Sequence, residues 1–195
     1  IDAQTANDDQ YLFKRLITPA VKYWVCKRGP MLSAEAMEVH GGVGYVEEGI
    51  QGRIFREMPV NSIWEGSGNV MCLDTLRALQ KAPQGLALLQ SELAQAQGRH
   101  PLYDAWLGKL LKEFADSEGL ECRARRLNER LALALQAKLM LTEAREDAAE
   151  AFVESRLSGD WGQTFGTLSR QNNLRGIIDR LELELDGGTT VFVGP

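Results

Sequence analysis

Apolar residues recur at helical spacing along almost the whole chain. In its first part, several of them can share one broad helix face: Val21, Trp24, Val25, Leu32 and Val39. The run Gly41-Gly42-Val43-Gly44 is expected to end this helix, because glycine readily adopts the positive φ of a helix C-terminus. The pattern therefore predicts a long first helix, kinked where Gly29-Pro30 interrupts it, followed by a glycine turn.

The helical pattern continues beyond that turn and predicts an all-α fold. Ser67 is the expected N-cap of a helix whose buried side carries Val70, Leu73, Leu76 and Leu79. Breaks at residues 83–85 and 98–101 predict two units, residues 1–85 and residues 86–195. Helices are predicted over residues 50–57, 68–79, 86–97, 102–117, 121–157 and 167–186, with a β-prone tail at 189–193.

Composition narrows the class of protein. The chain has 195 residues, of which 44% are hydrophobic, enough for one good core and a smaller second unit. The formal net charge of -5 argues against a generic polyanion-binding surface. Cys26, Cys72 and Cys122 are widely spaced, as expected of reduced thiols in a cytoplasmic protein. We expect no membrane partner, because no apolar run approaches the roughly 18 residues of a spanning helix. The opening, without a start Met or a signal peptide, indicates a fragment of a longer protein.

One carboxylate lies between an aromatic residue and a flexible turn. Glu65 follows Trp64 and precedes Gly66-Ser67-Gly68, which opens onto the helix predicted at 68–79. A helix N-terminus favours an anion by about 0.3–1 kcal/mol, whereas burial in an apolar pocket opposes it. Glu65 is therefore a candidate general base if a pocket faces it, and a mere helix-terminus cap if none does. His40 and His100 have no metal-ligand spacing, so no metal site is predicted.

Two phrases carry a resemblance to a known family: AMEVHGGVGY at residues 36–45 and REMPVNSIWEGS at residues 56–67. With them, the chain resembles the C-terminal helical domain of acyl-CoA dehydrogenases. Within that family it looks most like the alkylation-response, AidB-like branch, to which CKRG at residues 26–29 also points. The resemblance is strong over residues 15–80, and residues 100–195 resemble the extra helical region of that branch. It implies a C-terminal four-helix-bundle fold with an additional C-terminal helical region.

The resemblance also implies a flavoprotein that uses FAD, acts on an acyl-CoA and assembles as a homo-oligomer, a tetramer when complete. FAD would lie between a missing β-domain and this bundle, with a neighbouring subunit's bundle touching it. Glu65 matches the base that removes the α-proton of the thioester, and Trp64 would form a wall of the acyl or flavin pocket. The cofactor-binding positions implied are Glu38, Gly41, Gly42, Gly44, Ser67 and Asn69, of which Glu38 departs from the family's usual Gln.

Plainer roles remain open for these positions. The glycines can serve as a helix C-cap, Ser67 and Asn69 as ordinary capping residues, and Trp64 as a core side chain. A fragment with a bare apolar face could also be an assembly module that self-associates.

The alkylation-response branch is associated with DNA, which gives an alternative function. The chain would then be part of a DNA-binding protein that uses FAD mainly as a structural group. Arg77, Arg123 and Arg126 are the candidates for phosphate contacts with double-stranded DNA. The competing interpretation of Arg123 and Arg126, with Arg125 and Arg130 beside them, is a solvated helix face whose arginines are balanced by Glu118, Glu121 and Glu129.

Overall fold

The computed structural model describes residues 7–160, 164–169 and 171–185, and these residues form helices without a strand. The predicted all-α fold is confirmed. In chain order the helices are α1 (Asp8–Glu38), α2 (Gly42–Tyr45), α3 (Gln51–Asn61), α4 (Gly68–Lys81), α5 (Gln84–Ala94), α6 (Pro101–Ala115), α7 (Leu120–Glu143), α8 (Glu146–Leu157) and α9 (Leu174–Leu185).

The long first helix is confirmed, but its apolar face is not buried. A capping box starts α1: the Asn7 side chain accepts from the Gln10 N–H at 2.8 Å, and the Gln10 side chain accepts from the Asn7 N–H at 3.1 Å. The helix buries Leu16 and Ala20, whereas Val21, Val25, Leu32 and Val39 are 41–72% exposed. Of the five residues of the expected apolar face, Trp24 packs against the core of the described residues, and the other four are largely exposed.

The predicted N-cap position and start of α4 are confirmed, and the helix ends two residues beyond its predicted end. Of the predicted buried side, Leu76 is buried and Leu73 packs beside it, whereas Val70 is not buried. Ser67 is the N-cap residue, and the helix buries Cys72 and Leu76 while Val70 is 47% exposed. The cause is the way α4 packs, since Cys72 and Leu76 form a small cluster with Tyr23 of α1 and Leu127 of α7. Hydrophobic spacing alone could not locate that contact.

A buried polar contact fixes α4 against α7. Asn128 is 0% exposed and accepts a hydrogen bond from the Thr75 hydroxyl at 2.6 Å. Its amide donates to the carbonyl of Cys72 at 3.2 Å and to that of Ala124 at 2.8 Å. Because each buried polar group has a partner, this network determines the register in which α4, and the turn before it, lie on the bundle.

The helix predicted over 121–157 is two helices. The chain is extended at Ala144 and Arg145, and α8 then packs back against α6 and α7. Both sides of the break keep helical spacing, so periodicity does not reveal it. The helix predicted over 167–186 begins only at Leu174, and the β-prone tail at 189–193 lies outside the described residues.

The main core draws on both halves of the chain. Ala20 of α1 packs in one cluster with Leu93 of α5, Tyr103 of α6 and Val153 of α8. The Tyr103 hydroxyl is satisfied there, donating to the Leu93 carbonyl at 2.7 Å. The division into residues 1–85 and 86–195 stays a prediction. Helices from both predicted units contribute side chains to this one core.

Candidate functional site

The segment between α3 and α4 holds its acidic residue in an uncommon backbone conformation. After α3, the N–H groups of Ile63 and Trp64 donate to the Val60 carbonyl at 2.9 and 3.0 Å and close a tight turn. Glu65 follows with φ +55°, and it is the one non-glycine residue of the described part with a positive φ. Such a conformation costs an L-residue about 1–2 kcal/mol. The neighbouring contacts therefore hold Glu65 against a local backbone preference.

Glu65 is exposed and lies at the edge of a groove between α1 and α4. The Lys22 ammonium donates to the carbonyl of Gly66, which ties the turn to α1. The groove has a volume of about 450 Å³. The residues that line it with Glu65 are Tyr11, Lys14, Arg15, Thr18, Pro19, Lys22, Met71 and Asp74.

An ion pair bridges the two helices across this groove. The Arg15 guanidinium donates to the Asp74 carboxylate at 2.7 Å. That hydrogen bond is the main reason why the pKa of Arg15 is raised above its ordinary value. Lys14 and Lys22 add two further positive charges to the lining. The lining of the groove thus holds three cationic side chains against the carboxylates of Glu65 and Asp74, and the sequence did not predict that these charges meet.

One feature of the sequence indicated that two of these positively charged side chains lie on the same side of α1. Lys14, Thr18 and Lys22 are spaced by four residues, so they follow one face of α1. Nothing in that spacing says which other segment the face meets. Only the packing of α1 against α4 brings the lysines to Glu65.

The glycine turn combines two different requirements. Gly41 has φ +60°, and a Cβ built on Gly41 or Gly42 would meet no atom within 4 Å. A Cβ on Gly44 would lie 2.0 Å from the Met37 carbonyl oxygen, so Gly44 lets α2 pack closely on the end of α1. The backbone of Gly41 and Gly42 is exposed and open to an approaching group. Glu38, the last residue of α1, is also exposed.

Side chains near the start of α4 are placed as follows. Ser67 has the extended backbone of an N-cap, but its hydroxyl makes no capping hydrogen bond. The Asn69 side-chain oxygen accepts from the Arg125 guanidinium at 2.7 Å. Trp64 is 71% exposed, so its interpretation as a core side chain is wrong within the described residues.

The three arginines proposed for DNA lie in different surroundings. Arg77 is exposed on α4. Arg123 donates to the backbone carbonyls of Asp116 and Glu118 at 2.8 and 2.7 Å and pairs with the Asp116 carboxylate at 3.1 Å. Arg126 pairs with Glu113 at 3.1 Å. The partners of Arg123 and Arg126 thus come from α6 and the loop after it, not from the side chains of Glu118, Glu121 and Glu129.

The remaining candidate groups are structural in these surroundings. Burial raises the pKa of the Cys72 thiol to about 11, which makes it a poor nucleophile at neutral pH. His100 is the N-cap of α6, and its Nδ1 accepts from the Leu102 N–H at 3.1 Å. Within the described ranges, no three His, Cys, Asp or Glu side chains are grouped as metal ligands.

A family model gives the decisive comparison. Residues 2–80 match the model described as the acyl-CoA dehydrogenase C-terminal domain. The resemblance drawn from the two phrases is thereby confirmed. The matched residues contain α1, the glycine turn and the turn that carries Glu65.

Two curated relatives match much of the chain. It is 48% identical over 109 residues to "Putative acyl-CoA dehydrogenase AidB" of Escherichia coli (strain K12), which covers 56% of this chain and 20% of that protein. It is 32% identical over 116 residues to "Acyl-CoA dehydrogenase family member 11" of Caenorhabditis elegans, covering 60% and 19%. The chain thus spans about a fifth of the length of these relatives.

Two solved structures share the fold. "Bd2924 apo-form" superposes with a TM-score of 0.60 and 32% identity, over 69% of this chain and 26% of that one. Caenorhabditis elegans ACDH-11, solved in complex with C11-CoA, superposes with a TM-score of 0.69 over 96% of this chain and 36% of that one. At 20% identity, the second likeness shows the fold alone. No described helix combines the length and the apolar character needed to cross a bilayer.

Proposed function

We propose that this chain supplies the C-terminal helical domain of an FAD-dependent enzyme that α,β-dehydrogenates acyl-CoA thioesters, with Glu65 as the catalytic base. One observation carries the proposal: Glu65, with its positive φ, lies at the edge of a groove within the residues that match the family. We further propose that the complete protein is a cytoplasmic homo-oligomer.

The conformation of Glu65 supports a functional role. Any turn that needs a positive φ is most stable with glycine at that position, and Gly66 follows directly. A glutamate there costs stability, and its exposed side chain offers little packing in return. Strained backbone of this kind persists mainly where function requires the side chain.

The groove suits the chemistry proposed for Glu65. A base must reach the α-proton of a bound thioester at hydrogen-bond distance, and a carboxylate at the groove edge can do so. Lys14 and Lys22 line the same groove and attract an anionic ligand such as a CoA thioester. In this proposal they hold the substrate near Glu65 without taking part in proton transfer.

The glycine turn and the start of α4 fit part of a dinucleotide. The open backbone of Gly41 and Gly42 leaves room for close approach, while Ser67 and Asn69 offer a hydroxyl and an amide. Gly44, by contrast, supports the turn through its packing on α1. The Glu38 carboxylate would repel a pyrophosphate, but it is exposed and can turn toward water. FAD, when bound, would supply the acceptor for the β-hydride.

Exposed apolar side chains favour contacts beyond this chain. Val43, Tyr45, Ile50, Ile63 and Trp64 are each at least 63% exposed, and all lie in the part that matches the family. Apolar surface of this kind is a mark of interfaces. In the proposal it packs against the other domains of the polypeptide and against neighbouring subunits, with Trp64 in the pocket wall.

The test uses the complete polypeptide that contains this chain, loaded with FAD. Short, branched and aromatic acyl-CoAs are added without oxygen, and the absorbance of the oxidised flavin is followed. We expect bleaching with at least one thioester and a rate reduced at least about 100-fold in Glu65→Gln. Glu57→Gln, an exposed glutamate of α3, is the matched control and should keep the rate.

Two outcomes contradict the proposal. The enzyme assignment fails if no thioester bleaches the flavin. The role of Glu65 fails if Glu65→Gln bleaches as fast as the Glu57→Gln control.

DNA binding stays a separate prediction. Arg123 and Arg126 already pair with acidic side chains, so Arg77 is the strongest of its three candidates. Salt-dependent binding to duplex DNA that weakens in Arg77→Ala would support it. Unchanged binding after Arg77, Arg123 and Arg126 are all neutralised would remove these residues from the explanation.

A further inference from the structure

The turn that precedes α4 is held by α1 at two points. The Lys22 ammonium donates to the carbonyl of Gly66, 44 residues further along the chain. A Cβ built on Gly68 would lie 3.0 Å from Cε of Lys27 and 3.3 Å from the ring of Tyr23, so the start of α4 packs directly on α1. Gly68 is buried and Lys22 is half-buried. Water therefore competes less for the ammonium than it would at an open surface.

The side of the turn that adjoins α3 is also fixed. The N–H groups of Ile63 and Trp64 donate to the Val60 carbonyl at 2.9 and 3.0 Å, which closes the end of α3. Glu65 therefore connects two anchored segments, one on α3 and one on α1. Its backbone cannot change without a compensating change in residues that are themselves held by contacts.

The Gly66 carbonyl is the group that such a change would move. Glu65 and Gly66 both have a positive φ, +55° and +114°. Because Gly68 is packed on α1, a return of Glu65 to a negative φ has to be taken up by rotation at Gly66 and Ser67, which would carry the Gly66 carbonyl away from Lys22. The ammonium–carbonyl hydrogen bond thus opposes the relaxation that an L-residue at a positive φ favours. A charged donor makes this bond about twice as strong as one between neutral groups.

We propose that Lys22 is a positioning residue: by holding the Gly66 carbonyl, it keeps Glu65 at its positive φ and the carboxylate at the edge of the groove. The kinetic part of this inference rests on the proposed function, since the position of Glu65 affects a rate only if Glu65 is the base. An ammonium carries three donor hydrogens, so one bond to Gly66 leaves Lys22 able to attract an anion as well. Attraction changes how tightly a thioester binds, whereas positioning changes the rate once the thioester is bound.

Urea unfolding of the 195-residue chain tests the positioning role without any ligand. Lys22→Met, which keeps the apolar stem and removes the donor, is introduced into the Glu65→Gln chain and into the Glu65→Gly chain. These two backgrounds carry the same charge, but only the glutamine is strained at a positive φ. We expect Lys22→Met to raise the unfolding equilibrium constant about 5–30 times more in the glycine background than in the glutamine background.

The expected difference arises from what the turn recovers. In the Glu65→Gln chain, loss of the Gly66 bond lets residue 65 return to an ordinary φ, and the relief of strain offsets part of the loss. In the Glu65→Gly chain there is no strain to relieve, so the whole loss is measured. Lys14→Met is the matched control, because Lys14 is also half-buried and lines the same groove. It should have the same effect on unfolding in both backgrounds.

The complete polypeptide loaded with FAD tests the kinetic consequence. Flavin bleaching is followed without oxygen at increasing concentrations of an acyl-CoA that the unmodified protein oxidises. Lys22→Met should lower the rate at saturating thioester at least tenfold, because a small displacement of a reacting group slows a reaction strongly. Lys22→Arg, which keeps a charged donor, should recover most of that rate. Lys81→Met, which removes an exposed lysine at the end of α4, should bleach as fast as the unmodified protein.

Two results would overturn the inference. An equal effect of Lys22→Met in the glutamine and glycine backgrounds would mean that Lys22 does not hold Glu65 in its conformation. A Lys22→Met protein whose saturating rate is unchanged would leave Lys22 at most the attraction of an anion. If no thioester bleaches the unmodified protein, the dehydrogenase proposal fails by itself, and the unfolding comparison still decides whether Lys22 holds the turn.

Discussion

Replacing Glu65 by glycine should make the folded chain more stable while removing the proposed base. The reason is the backbone at that position, where φ is +55°. An L-residue held there costs about 1–2 kcal/mol, whereas glycine has no such penalty. Glycine in turn loses more backbone entropy on folding, which offsets about 0.5–1 kcal/mol of the gain. The exposed glutamate side chain contributes little packing.

The midpoints of these two ranges leave a net stabilisation of about 0.75 kcal/mol. For a domain of this size, that corresponds to a rise in Tm of about 1–4 °C. Urea unfolding followed by circular dichroism measures the free energy of unfolding, and a thermal scan measures Tm. Glu65→Gln keeps the Cβ and should remain within about 0.5 kcal/mol of the unmodified chain.

Gly41→Ala provides a control with the opposite sign. Gly41 has φ +60°, and a Cβ there would meet no atom within 4 Å, so the substitution tests backbone strain without a steric clash. It should cost about 1–3 kcal/mol, because φ +60° with ψ -145° is a region that L-residues scarcely adopt. A Glu65→Gly chain that is no more stable than Glu65→Gln would refute the argument that Glu65 is held in a strained conformation.

Two other buried features give testable expectations. Asn128→Ala should destabilise the chain by about 3 kcal/mol, because it opens a cavity and leaves buried partners unpaired. Thr75→Val removes one donor and should cost about 1 kcal/mol. Urea unfolding compares the two variants, and equal costs would count against the network. In the folded chain a thiol reagent should modify exposed Cys122 quickly and buried Cys72 only after unfolding, and rapid loss of the Cys72 thiol would contradict its burial. Burial raises the pKa of Cys72 from its ordinary value of 9.0 to about 11, so its contribution to stability should be complete below pH 9 and lost as the pH rises toward 11, a slope that Cys72→Ala should reduce.

The proposed catalytic turn was predictable because its signals are local. The order Trp64-Glu65-Gly66-Ser67 places a carboxylate before an N-cap, and the structure has Ser67 in that position. The positive φ of Glu65 was not predictable, since glutamate rarely adopts it and its neighbour Gly66 is the more obvious site for it.

Local sequence patterns could not predict which groups the positively charged side chains contact. Lys22 lies more than forty residues from Gly66 in the chain, yet its ammonium contacts the Gly66 carbonyl. The carboxylate that receives Arg126 belongs to Glu113 on another helix, not to a neighbour on α7. Charge spacing along one helix shows which residues share a face, but not which helix lies opposite.

The amino-acid sequence by itself determined that the chain is helical and where the glycine turn lies, because helix spacing, capping and turn preferences act over a few residues. The two phrases that carry the family resemblance could likewise be recognised without a structure. Tertiary structure decided which helix faces became core, where α7 ends and α8 begins, and which charges surround Glu65. Those outcomes depend on contacts between segments far apart in the chain, whose free energy exists only once the helices have packed.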